Sequence, residues 1–65
     1  MTVLKKGDLV AIENNSIFEM MGHEVVTGTV ITLRGDNSGF SIKCQETGAM
    51  ETVDFNDGII TVKNG

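Results

Sequence analysis

The stretch Val25-Val26-Thr27-Gly28-Thr29-Val30-Ile31-Thr32-Leu33 decides how this chain folds. Apart from Gly28 and Leu33 every residue in it is β-branched, which suits a pleated strand. Glycine inside such a pattern marks a bulge or a sharp bend. The apolar parity agrees: Val26 and Val30 share one face, whereas Ile31 and Leu33 share the other. A bend near Gly28–Ile31 lets both pairs find cover, and it is the device by which a small sheet curls on itself.

Working outward, the same rhythm of short strands and turns fills the chain. Phe40, Ile42 and Cys44 alternate with Ser41, Lys43 and Gln45, the pattern of a half-buried strand. Thr47-Gly48 predicts a tight hairpin into a strand over Glu51–Phe55. Asn56-Asp57-Gly58 predicts a short turn or one turn of 3₁₀ helix before a closing strand over Ile59–Val62. Arg34-Gly35-Asp36-Asn37-Ser38-Gly39 is turn chemistry, and its adhesion-like tripeptide Arg34-Gly35-Asp36 is read as part of that turn. Upstream, Asp8–Glu13 places Val10 and Ile12 on one face and Leu9 and Ala11 on the other. Asn14–Glu24 is the least regular part. Within it Ile17, Met20 and Met21 follow i, i+3, i+4 spacing, which predicts one helical turn inside a long loop. The fold expected is all-β: one domain over residues 1–65, a five-stranded small barrel with a long irregular loop after the first strand.

Composition narrows the function. A 65-residue chain buries about 60% of the surface its unfolded form exposes, and a core that small rarely supplies more than about 3–5 kcal/mol. Cys44 is the sole cysteine, so no intrachain disulfide adds to it. With Cys44 and His23 as the only soft or borderline ligands, no structural metal is expected. A partner subunit or a second copy is the remaining way to bury more apolar surface. Five Lys and Arg stand against nine Asp and Glu, a formal net charge of −4, which argues against direct nucleic-acid binding and favours a basic protein partner. The N-terminal residues lack an apolar leader core, no run is long enough to span a membrane, and one cysteine suits a reducing compartment. A cytoplasmic location is expected.

No constellation of catalytic residues emerges. Cys44 falls on the strand face of Phe40 and Ile42, where it is a small buried hydrophobe rather than a nucleophile paired with His23. His23 is read as a loop residue. Glu51, Asp54 and Asp57 are read as a solvated acidic face. The stretch from Asp54 to Gly58 lacks the spacing of a calcium loop, and no Gly-Lys-Ser/Thr follows Gly35–Gly39 to make a phosphate loop. No cofactor is expected, and the chain is read as a non-enzyme.

The order of elements resembles the Src-homology-3-like (SH3-like) small barrels over about residues 4 to 63. Lys6-Gly7-Asp8-Leu9-Val10 together with Gly28-Thr29-Val30-Ile31-Thr32-Leu33 resembles the entry and second strand of KOW-type barrels. The run from Val53 to Val62 is similar to the closing segment of YolD-like and Sm-like proteins. These resemblances imply a binding module, and the KOW and Sm families bind RNA or the transcription and translation machinery. Here Thr27 and Thr29 flank the glycine where KOW segments usually carry basic residues.

Two candidate surfaces follow. The first comprises Ile17, Phe18, Glu19, Met20, Met21 and Glu24: adaptable apolar side chains with an acidic rim that Glu13 extends, suited to a basic protein. A small acidic module of this kind resembles accessory proteins of phages and mobile elements that inhibit or redirect host nucleic-acid machinery. The alternative is an RNA- or nucleotide-binding surface built from Lys5, Lys6, Arg34, Phe40 and Lys43. A third reading is a structural subunit that self-assembles, for example through an exposed edge strand.

Overall fold

Alternation along the first strand sends Val10 and Ile12 to one side of the sheet, and the rest of the fold is organised around that side. The computed structural model describes residues 4–36 and 38–63; Asn37 of the expected turn and the terminal residues 1–3 and 64–65 lie outside it. Its elements are β1 (Leu9–Glu13), α1 (Ser16–Met20), β2 (Val25–Leu33), β3 (Gly39–Cys44), β4 (Met50–Asp54) and β5 (Ile59–Val62). All ladders are antiparallel, and the strands lie in the order β4-β3-β2-β1-β5.

Paired residues of an antiparallel ladder share a face, so the registers define two faces. Val10 opposes Gly28 and Val62, Ile12 opposes Val26 and Ile60, Val30 opposes Ile42, and Phe40 opposes Val53. These side chains make the inner face. The core consists of Val10, Ile12, Phe18, Val26, Val30, Phe40, Ile42, Cys44 and Val53, with Leu4, Ile60 and Val62 packed against it. Cys44 is buried there, as its alternation with Phe40 and Ile42 predicts. The Phe55 ring lies 5.2 Å from that of Phe40 but is itself exposed.

Gly28 and the bend are separate devices. The register slips between Val30 and Thr32, so Ile31 is the extra residue of a bulge. After it, Leu33 rather than Thr32 pairs with Phe40 on the inner side, but Leu33 stays 43% exposed, so the bend does not cover both apolar pairs as the sequence predicts. Gly28 stays in register and is required for close approach: a Cβ there would stand 2.7 Å from the Lys43 carbonyl oxygen and 2.8 Å from Ile42 Cδ1.

The sheet is open. Among the described residues no ladder joins β4 to β5, so these two strands are edges and the closed barrel expected from the strand rhythm is not completed by hydrogen bonds. Flat, five strands would hold their edges about 19 Å apart. The link between β4 and β5 is only Phe55–Gly58, and the Asp57 N–H to Asp54 carbonyl bond (3.1 Å) folds it into a turn. A link that short cannot span the width of a flat sheet, so the sheet must bend, yet the edges stay unpaired among the described residues.

Candidate functional site

Asn14, at φ 57°, turns the chain out of β1, and the next residues build a tightly held helix start. The Asn15 side-chain oxygen accepts from the N–H groups of Ile17 (3.0 Å) and Phe18 (3.1 Å), an N-cap that satisfies two donors the helix leaves open. Its amide nitrogen donates to the Asp57 carbonyl oxygen at 3.0 Å, and the whole residue is buried. Asp57 completes the clamp. Its Oδ1 accepts from the Ser16 N–H (2.9 Å) and its Oδ2 from the Ser16 hydroxyl (2.7 Å). The Ser16 hydroxyl, and then its backbone N–H, hold the Asp57 carboxyl below its usual value by stabilising the charged form. Gly58, at φ 99°, lets this turn pass against the backbone of Glu13 and Asn15, where a Cβ would collide with the Glu13 carbonyl.

The clamp fixes which way α1 faces. Phe18 points into the core and is 2% exposed, whereas Met20 is 89%, Ile17 51% and Met21 44% exposed. Ile17, Met20 and Met21 are thus an apolar stripe turned to solvent, at the i, i+3, i+4 spacing of one helical face. Phe18 leaves the set expected to meet a partner: its ring is part of the hydrophobic core instead. Glu19 and Glu24 are exposed beside the stripe, and with Gly22 and His23 they line a shallow open depression. Met21 and Gly22 close the helix through bonds to the carbonyls of Ile17, Phe18 and Glu19.

Beyond α1, the registers place Val25, Glu13 and Ile59 in one row across β2, β1 and β5 on the outer face, and all three are exposed. Sequence reasoning did not single out Val25 or Ile59, because each sits in a strand whose other apolar residues point inward. Asp57, expected on a solvated acidic face, is instead the clamp on α1. The Asn15-Ser16 pair immediately before the Ile17 spacing is an N-cap signal that could have revealed half of that arrangement.

The cationic set is less concentrated. Lys5 and Lys6 are exposed in the turn before β1, whose Gly7 has φ 91°. The Lys43 amine, on the outer face of β3, donates to the Gly48 carbonyl at 2.8 Å. Arg34 bonds Asp54 Oδ1 and Ser38 Oγ, each at 3.1 Å, within the turn where Asp36 also accepts from the Ser38 hydroxyl and N–H. Those bonds from Ser38, the hydroxyl first, hold the Asp36 carboxyl below its usual value. Phe40, the ring expected to stack on a base, is fully buried in the core and has no face to offer. Cys44 Sγ lies 3.7 Å from Glu46 Oε1, whereas His23 lines the depression beside α1. Among the described residues no group of three or more His, Cys, Asp or Glu could hold a metal ion, and no helix is long and apolar enough to cross a membrane.

No protein-family model, curated protein or solved structure matches this chain.

Proposed function

We propose that this chain is a non-enzymatic docking module that binds another protein through the outward face of α1. The observation that carries the reading is the Ile17, Met20, Met21 stripe, with Met20 89% exposed on a helix whose start is clamped at Asn15, Ser16 and Asp57. An exposed apolar stripe on a flexible loop costs ordering entropy when it binds. Here the clamp has already met that cost. Methionine side chains adapt to irregular surfaces, and Glu13, Glu19 and Glu24 around the stripe favour a basic partner. A nucleic-acid-handling protein with a basic groove is the kind of target this chemistry fits, which is the role of an accessory protein that inhibits or redirects such machinery.

An SH3-like description of the sheet belongs to the same proposal. Its support is the meander β5-β1-β2-β3-β4, the long β1–β2 connection that carries α1, and the short turn before β5. The RNA-binding alternative has less support, because Phe40 is buried and the Arg34 and Lys43 side chains already have local partners.

A photo-crosslinking amino acid placed at position 20, and separately at exposed position 52 on edge strand β4, tests the docking face in a cell extract. The expected result is one protein crosslinked from position 20 and not from position 52. Crosslinks from position 52 alone, or crosslinks to RNA from either position, would overturn it.

A further inference from the structure

The geometry points to a second interface: two copies of this chain join through their β5 edges into one continuous antiparallel sheet. The hydrogen-bond phase shows which groups of β5 are free to do this. The Lys63 N–H donates to the Leu9 carbonyl at 2.7 Å, and the register then makes Ala11 with Thr61 and Glu13 with Ile59 the bonded pairs. Ile60 and Val62 therefore turn their N–H and C=O groups away from β1, along the open edge. Their side chains are on the inner face, packed against the core. Ile59, Thr61 and Lys63 alternate onto the outer face.

A two-fold axis perpendicular to the sheet keeps inner face with inner face, so paired residues must share parity. The register that also aligns the free groups pairs Ile60 with Val62 of the second copy, reciprocally, around a Thr61–Thr61 contact. That register sets Ile59 opposite Lys63 of the second copy. Glu13 is the next residue in the same outer row, two strand spacings or about 10 Å from that lysine's Cα, within reach of two long side chains. Among the described residues neither Glu13 nor Lys63 makes an ion pair within the chain. The dimer gives both a partner of opposite sign, twice by symmetry. The β4 edge does not offer this, because Glu51 and Asp54 make it acidic.

Sedimentation of the full chain from about 1 µM to 1 mM covers the range in which such an interface associates. The expected result is a reversible rise from the 7.0 kDa chain mass to twice that value. Replacing Val62 by N-methylvaline removes an edge donor that the β1–β5 ladder does not use among the described residues, and should abolish the dimer while leaving the circular dichroism unchanged. Lys63→Glu should weaken association about tenfold, and the double variant Glu13→Lys, Lys63→Glu should restore it. A wild-type chain that stays monomeric at 1 mM overturns the proposal. So does a dimer that is indifferent both to N-methylation and to the charge swap.

Discussion

Asp57, in the turn before β5, grips Ser16 at the start of α1 with both carboxylate oxygens, 41 residues away in sequence. The contact ties the long β1–β2 connection to the sheet's last turn. It makes α1 a fixed part of the surface, though a helix of five residues has no stability of its own.

The grip depends on ionisation. Because the folded-state pKa of Asp57 is lowered, its contribution is complete above the unfolded value of about 3.9 and is lost as pH falls through the folded value. Asp57→Ala should therefore lower the Tm at neutral pH, and the gap from wild type should close in acid. Thermal melts of both proteins from pH 2 to pH 7 check this. Asp36 is lowered in the same direction, and comparing the two proteins cancels its effect.

Asn15→Ala removes the cap and leaves the N–H groups of Ile17 and Phe18 and the Asp57 carbonyl without their side-chain partner. The expected loss is about 1–2 kcal/mol, read as a lower urea midpoint with an unchanged slope.

Phe18 and Met20 are two residues apart and should behave as opposites. Phe18→Ala empties a core position and should cost about 3–5 kcal/mol, comparable to the whole stability of a domain this small. Met20→Ser changes a side chain that is 89% exposed and should move stability by less than about 0.5 kcal/mol. Denaturant titration of the two variants separates core from surface on this helix.

Among the turn glycines, Gly48 and Gly58 both have positive φ, but only Gly58 is crowded. Gly48→Ala should cost the left-handed strain alone, about 1–2 kcal/mol. Gly58→Ala adds overpacking against the β1–α1 backbone, about a further 1–3 kcal/mol, and should lower the melting temperature more.

The strands were legible because their signal is local. Residues 25–33 form β2 as their composition predicts, and the alternation of Phe40, Ile42 and Cys44 gives the inner face of β3. The helical turn at Ile17 was legible from its spacing. Its orientation was not, since three of four neighbouring apolar residues had to be sorted to solvent by a core that long-range pairing assembles. Gly28 and Ile31 show the same limit. Pattern alone located a bend between them, but whether the glycine serves the bulge or the close packing depends on β3, which lies across the ladder. The Asp57–Ser16 grip joins turns from opposite ends of the chain, and no local pattern encodes it.

The docking claim rests on Ile17 and Met20, so the direct measurement is the affinity of the crosslinked protein, once purified, for wild type and for the double variant Ile17→Ser, Met20→Ser. Titration calorimetry at matched circular dichroism is the appropriate method. Binding should be at least about tenfold weaker for the variant, the usual effect of losing apolar anchors at the centre of an interface. Equal affinity for the two proteins would contradict it.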